Sequence, residues 1–328
     1  MSKPLSELEL PAPIRIGYEH TSADQLLAQA DVLAVLGFGA AAVVGDDPRA
    51  LRVGLEPLEA APFEVWRGAA PVHCGRDGDL RWSSDGSHSF LAIEVEEAAH
   101  GGLVEAATYA YRRLNAFVAT SRTPHLLRLW NYLDAINLGD GDDERYRRFC
   151  DGRARGMPAG PQVRYPAATA IGRQDGVRTL QVYGLAGAQS GTAIENPRQV
   201  SAWRYPRQYG PTAPTFARGM LTVSSELLIS GTAAVVGHAS THQDDLVAQI
   251  DETLANLDSL LGRACLERAH LNSDSVLKAY LRDPADAHSV TDALHRHAPA
   301  LGGLLLLAGD ICRSELLVEI DGIHRIRA

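Results

Sequence analysis

The C-terminal stretch Leu304–Ala328, LLLLAGDICRSELLVEIDGIHRIRA, holds two apolar runs around a polar turn. Both runs are short and rich in Leu, Ile and Val, which predicts two β-strands on a pleated, half-buried surface. Glu319 falls inside the second run, in VEID. An ionised carboxylate is costly to bury among such neighbours, so its pKa should rise and it could hold a proton at neutral pH. A held proton is what a general acid needs. The plain alternative is a glutamate that points outward from an edge strand. Cys312 and Arg313 precede Glu319 by what reads as one short hairpin. If that hairpin folds back, thiol, guanidinium and carboxyl share a pocket. A core cysteine and an Arg313–Asp310 pair are the structural alternatives.

Working upstream, LLISGTAAVVGHA (Leu227–Ala239) reads as a strand, a Gly-containing turn and a further short strand. VAQIDETLANLDSLLGRACLERAHL (Val247–Leu271) has the periodicity of a long amphipathic helix, VLKAYLRD (Val276–Asp283) that of a strand, and PADAHSVTDALHRHA (Pro284–Ala298) that of a second helix. The first half has a similar rhythm. Ile14–Val53 begins with a short strand and continues into the helix-like SADQLLAQADVLAVLGFG (Ser22–Gly39). Leu80–Glu97 reads as strands around a turn at SSDGSH, Ala106–Thr120 as a helix, and His125–Leu133 as a strand. Blocks of similar length end in NYL (Asn131–Leu133) and AYL (Ala279–Leu281), which predicts two subdomains related by a diverged duplication. Gly139–Pro166 is rich in Gly, Pro and charge and is the expected junction, with the boundary near residue 157, giving subdomains 1–157 and 158–328. Strands followed by helices that can pack on one sheet face imply an α+β architecture.

Composition narrows the function. The chain has 328 residues, 45% apolar and 22% charged, enough for a sizeable core. A net charge of −9 argues against a dedicated nucleic-acid binder. No apolar run is long enough to span a bilayer, and MSKPLSELELPAPIRIGYEH lacks the apolar core of a secretory signal. Cys74, Cys150, Cys265 and Cys312 are far apart, without CxxC or metal spacing, and read as reduced thiols of a cytoplasmic protein. GFGAAA (Gly37–Ala42) is too weak for a dinucleotide loop, and neither a P-loop nor a G-x-S-x-G elbow occurs.

The stretch ENPRQVSAWRYPRQYGPTAPTFARGM (Glu195–Met220) interleaves Arg198, Arg204, Arg207 and Arg218 with Trp203, Tyr205, Tyr209 and Phe216 on a proline-stiffened loop. Arginine forks a carboxylate, while tyrosine stacks and donates a hydrogen bond, so such a loop can wall a site for a planar anion. A surface loop docked back on the domain is the bland alternative. DERYRRFCDGR (Asp143–Arg153) adds Arg145, Tyr146, Arg148 and Arg153, which a solvated linker would explain equally well. His238 and His242 in HASTH could supply two metal ligands, but no third is evident, so no metal site is expected. His295 and His297 are expected to face solvent.

Four of these stretches carry a family resemblance. Leu227–Leu261, VLKAYLRDPAD (Val276–Asp286) and ELLVEIDGI (Glu315–Ile323) resemble the RidA/YjgF superfamily over roughly the last hundred residues, with Glu319 at the first glutamate of its V-E-I-E strand. The deaminases of that superfamily carry an arginine on the preceding strand, where this chain has about Leu304, which argues against imine deamination. Asn196–Met220, SGTAAVVGHAS (Ser230–Ser240) and CRSELLVEIDG (Cys312–Gly322) together resemble the chorismatases, two-lobed relatives of RidA that cleave chorismate. That resemblance covers most of Asn131–Asp321 and is faint before it. It implies two RidA/YjgF-like, chorismate-mutase-like subdomains with mixed sheets. It also implies Glu319 as catalytic acid and Cys312 as a catalytic position typical of the aromatising branches. Arg145, Arg153, Tyr205, Arg207, Tyr209, Arg218, Ala233 and Arg313 are the implied substrate-binding residues. The implied reaction converts chorismate to 3-hydroxybenzoate, alone or with 4-hydroxybenzoate, plus pyruvate, without cofactor or metal, as in bacterial aryl-polyene pigment pathways. The alternatives are a hydrolytic chorismatase that forms a dihydroxycyclohexadienoate, a RidA-type imine deaminase, or a non-catalytic small-molecule binder. Two similar lobes in one chain could replace subunits of a RidA-type trimer, so a monomer is compatible, with no nucleic-acid or membrane partner.

Overall fold

Three β-sheets share one central core in the computed structural model, which describes residues 12–158, 164–265 and 270–326. The first sheet contains β1 (Arg15–Glu19), β2 (Val32–Phe38), β3 (Ala50–Val53) and β4 (Phe63–Arg67) in the order β1-β4-β2-β3, backed by the short helix α1 (Ala23–Leu27). The second is built from β5 (His73–Asp77), β6 (Leu80–Ser84), β7 (His88–Glu96), β8 (His125–Asp134), β9 (Ala167–Arg173) and β10 (Thr179–Gly187), ordered β9-β8-β10-β7-β6-β5. Helices α2 (Leu103–Thr120) and α3 (Arg145–Gly156) belong to this unit. The third sheet comprises β11 (Thr192–Ile194), β12 (Gly219–Leu221) and β13 (Glu226–Thr232). A small ribbon of β14 (Val235–Val236) and β15 (Ala239–Ser240) follows, then helix α4 (Leu246–Cys265), β16 (Ser275–Leu281), helix α5 (Ala287–His297) and β17 (Gly303–Ala308). After β17, β18 (Asp310–Ile311) crosses to pair with β9, and β19 (Val318–Arg325) returns between β13 and β16.

One topology recurs. β8 pairs parallel with β9 and antiparallel with β10, which pairs antiparallel with β7. In the same way β16 pairs parallel with β17 and antiparallel with β19, which pairs antiparallel with β13. The matching tyrosines of NYL and AYL occupy equivalent places: Tyr132 lies opposite Gln181, Tyr280 lies opposite Glu319, and their hydroxyls meet at 3.0 Å. The first sheet repeats the pairing in abbreviated form, β1 with β4, β4 with β2, and β2 parallel to β3. Inner faces of all three sheets build the central core around Trp66, Phe90, Trp130, Tyr132, Tyr183 and Tyr280. Helices cover the outer faces. Along α4, Ile250, Leu254, Leu257 and Leu261 are buried at spacings of four, three and four residues, the stripe an amphipathic helix requires.

The chain differs from its sequence reading in four places. Helix is limited to Ala23–Leu27, where Ser22 and Gln25 form a capping box; VLAVLGF then becomes β2 because all seven of its residues are buried, as in a strand covered on both faces. The expected linker contains helix α3. Its glycines are packing contacts, since a Cβ at Gly152 would lie 2.3 Å from the Val104 carbonyl oxygen and one at Gly156 2.5 Å from the Tyr111 Cβ, so only glycine lets α3 approach α2 this closely. The junction near residue 157 falls between α3 and β9, yet β9 and β10 complete the second sheet, and passage to the third comes between Gly187 and Thr192. Residues 159–163 of that stretch, like 1–11, 327–328 and 266–269 within the expected Val247–Leu271 helix, lie outside the described residues. Finally, β17 and β19 form no hairpin: β16 separates them in the sheet, and the Cys312–Leu317 segment bridges two sheets. No helix among the described residues is long and apolar enough to cross a membrane.

Leu257 is fully buried between α4 and the third sheet. Leu257→Ala should therefore destabilise the protein by about 3 kcal/mol in denaturant unfolding; a loss under about 1 kcal/mol would contradict this packing.

Candidate active site

Side chains alternate along a strand. On β19, Val318 and Ile320 pack with α4 and α5, while Glu319, Asp321 and Ile323 face the other sheets. Glu319 thereby meets a cavity of about 350 Å³ between the second and third sheets. It is 5% exposed, and its carboxyl is pushed up to about 8, first by burial and then by the nearby charge of Asp321, against the pull of Arg128, Arg218 and Arg313. Gly231 of β13 makes room for it: a Cβ there would stand 1.9 Å from Glu319 Oε1.

The Cys312–Leu317 crossing delivers two further groups. Cys312 borders the cavity as a free thiol whose pKa burial and the Glu319 carboxyl both raise, so it is neutral. Arg313 donates from Nη1 to the His238 carbonyl (2.9 Å) and to Ser240 Oγ (3.0 Å), and its guanidinium lies 4.1 Å from the ring centroid of Tyr209 and 5.2 Å from that of Tyr205. The arginine-aromatic loop closes the same cavity. Arg218 donates to Tyr205 Oη (2.5 Å) and the Val200 carbonyl (3.1 Å) and lies over Phe216. Arg153 of α3 is 3% exposed, donates to the Thr215 carbonyl (2.9 Å) and packs over Tyr111. The Nε atoms of Arg153 and Arg218 are buried without a hydrogen-bond partner, an arrangement suited to an anion. Ala233 also lines the cavity.

Eight of the ten expected site residues thus come together: Glu319, Cys312, Arg153, Tyr205, Tyr209, Arg218, Ala233 and Arg313. Arg145 and Arg207 do not. Arg145 leaves the cavity-facing stripe of α3, forks Glu97 (2.5 and 3.0 Å) and donates to the Asp134 carbonyl (2.9 Å), fastening the helix start. Arg207 is exposed and pairs with Asp142 at the surface. Tyr146, Arg147, Cys150 and Gly231 line the cavity in addition. The spacing of Tyr146, Cys150 and Arg153 is a helical stripe and would have marked that wall, had the segment been read as a helix. His238 faces the loop, with Nδ1 3.2 Å from Tyr209 Oη, while His242 pairs with Glu252 and the half-buried His297 with Asp258.

A pocket of arginines and tyrosines around one buried acid has close relatives. The family model described as "Chorismatase FkbO/Hyg5-like, N-terminal" matches residues 64–186. A Streptomyces hygroscopicus protein named 3-hydroxybenzoate synthase is 34% identical over 83% of this chain and 84% of its own length. The chain belongs to the chorismatase family. Another member, named chorismatase and also from Streptomyces hygroscopicus, is 31% identical over 93% of both chains. A crystal structure of a chorismatase superposes with a TM-score of 0.84 at 29% identity, covering 97% of this chorismatase-family enzyme and 100% of that chain. About half of the matched stretch lies upstream of Asn131, so the first half carries a family signal that its motifs do not display.

Gly231→Ala should turn the Glu319 side chain away from β13 in a crystal structure of the variant. An unmoved carboxyl would contradict the close approach described here.

Proposed function

We propose that this enzyme converts chorismate to 3-hydroxybenzoate and pyruvate, with Glu319 as the proton donor. The observation that carries the reading is the buried carboxyl at a cavity walled by Arg153, Arg218 and Arg313. Chorismate is a dianion with an enolpyruvyl ether. Cleaving that ether starts with protonation of the methylene carbon, which is slow in water and is accelerated by a carboxylic acid kept neutral by its surroundings. Glu319 supplies the proton, and the ether oxygen stabilises the resulting oxocarbenium ion. The arginines hold the two carboxylates and offset their desolvation. The cavity, at about 350 Å³, lies within the range of about 300–1,000 Å³ usual for small-molecule sites.

The oxocarbenium ion then needs a nucleophile. In the hydrolytic route water attacks and is consumed. In the aromatising route the substrate's own hydroxyl reacts, and 3-hydroxybenzoate plus pyruvate together contain the atoms of chorismate, so no water is used. A preorganised site favours the internal nucleophile, already close, over a water it excludes. Cys312, a neutral thiol beside Glu319, supports the aromatising route, and we assign it the role of keeping water from the cation. A share of 4-hydroxybenzoate is compatible with the same pocket. The chemistry calls for no metal or organic cofactor. Three copies of one topology in a single chain support a monomer as the working unit, and the free thiols of Cys74, Cys150 and Cys312 support a cytoplasmic setting.

Incubation with chorismate should release pyruvate with 3-hydroxybenzoate as the main aromatic product; absence of pyruvate would refute the reading. Glu319→Gln should lower turnover by at least a thousandfold while ligand affinity, measured by calorimetry, changes less than about threefold; a normal rate would remove Glu319 from the chemistry. Because the acid works protonated, kcat/KM should be flat below the Glu319 pKa of about 8 and fall as pH rises through it. Activity that instead rises across that range would contradict the role. Cys312→Ala should shift products toward the dihydroxycyclohexadienoate, read by chromatography, and an unaltered profile would discard Cys312 as a determinant.

A further inference from the structure

Behind Glu319 lies a buried charge cluster for which the proposed reaction has no direct use. Asp321, two residues along β19 and on the same face, is fully buried. Its Oδ2 accepts from Thr169 Oγ1 (2.7 Å), Tyr280 Oη (2.8 Å) and Trp130 Nε1 (2.9 Å), and the Arg128 guanidinium stands at 3.1 Å. Every one of these neighbours is a donor, so the carboxylate is the form this nest accommodates. Arg128 is equally buried; it donates to Thr169 Oγ1 (2.5 Å) and the Leu129 carbonyl (2.8 Å) and lies 4.2 Å from the Trp130 ring centroid. Thr169 itself borders the cavity that holds Glu319. The cluster joins β8 and β9 to β16 and β19 immediately behind the acid.

The cavity presents a difficulty that this cluster answers. Arginines close to a carboxyl favour its ionised form, commonly by about 1–3 pH units each. Arg218 and Arg313 act this way on Glu319, and so does Arg128. An acid surrounded only by substrate-binding cations would have lost its proton before the substrate arrived. Among the other titratable groups around the acid, Tyr146 and Cys150 from α3, Tyr280 from β16 and Cys312 from the crossing segment are neutral, while Arg147 and Arg153 from α3, Glu144 at its start and Glu315 from the crossing segment line the cavity. Burial opposes ionisation most, and Asp321 is the one anion in the nest behind it.

We propose that Asp321 is a positioning residue for Glu319, its anchored charge holding the catalytic proton in place against the cavity's arginines. Arg128 and Thr169 fix Asp321 where it acts on Glu319 without touching substrate. This rests on the reading of Glu319 as the proton donor. Three predictions separate it from a packing role. In Asp321→Asn the negative charge is gone, so Glu319 should ionise about one pH unit lower. The alkaline fall of kcat/KM should move down with it, costing roughly tenfold in rate above the wild-type midpoint. In Tyr280→Phe one donor to Asp321 is lost, the charge is less neutralised, and the midpoint should move to higher pH.

The experiment is a pH titration of ligand-free enzyme by infrared difference spectroscopy, following the protonated-carboxyl band that disappears in Glu319→Gln, beside the pH profile of pyruvate release. Opposite shifts in the two variants support the proposal. Unchanged midpoints with lowered melting temperatures would overturn it, because Asp321 would then be only a packing element. If Asp321→Asn fails to fold, Tyr280→Phe decides alone: an unchanged or lowered midpoint overturns the proposal. Should the wild-type band titrate and shift as described while chorismate yields no pyruvate, the functional reading fails and the coupling between the two carboxyls stands.

Discussion

A carboxyl group has been placed on the inner face of a central strand, where water is scarce and cations are near. The rest of the structure answers to that placement. β19 lies between two neighbours and cannot turn Glu319 outward, because the alternation that buries Val318 and Ile320 under α4 and α5 aims Glu319 and Asp321 at the opposite sheet. Gly231 supplies the space, and the Cys312–Leu317 crossing brings Arg313 across the seam. Desolvation favours the neutral acid, whereas the arginines favour the anion, so the balance between them sets the chemistry.

The recurring topology explains why there is one such site. In the second sheet Gln181 holds the position that Glu319 holds in the third, each opposite a matching tyrosine. Gln181 spends its amide on the Arg52 carbonyl, the Gly54 amide and Glu94, closing the seam toward the first sheet. Between the first and third sheets, Glu64 is tied to Lys278 at 2.8 Å and to Trp66 Nε1 at 2.7 Å. One seam keeps an acid facing a cavity, and the others are filled with satisfied polar pairs that hold the sheets together. Buried pairs of this kind add little net stability but cost much if one partner is removed.

Much of this was legible in the residues. The alternation within VEID puts both acids on one face, and the NYL and AYL matches proved to be equivalent positions. The arginine-aromatic loop does border the cavity. What the sequence could not convey depends on distant partners. Gly152 and Gly156 look like loop residues until Val104 and Tyr111 are seen pressed against them. Arg145 and Arg207 are of the same type as Arg153 and Arg218, and only Glu97 and Asp142, far along the chain, turn them aside. The two-residue strand β18 carries no periodicity of its own, yet it converts an apparent hairpin into the bridge that completes the site.

Glu319 should carry a proton at neutral pH in the ligand-free enzyme. Carbon-13 NMR of protein labelled at glutamate side-chain carboxyls, with the Glu319 resonance assigned by its loss in the glutamine variant, reads this directly. The Glu319 carboxyl should titrate with a midpoint near 8. A carboxyl that titrates near 4.5, the ordinary value for glutamic acid, would contradict it.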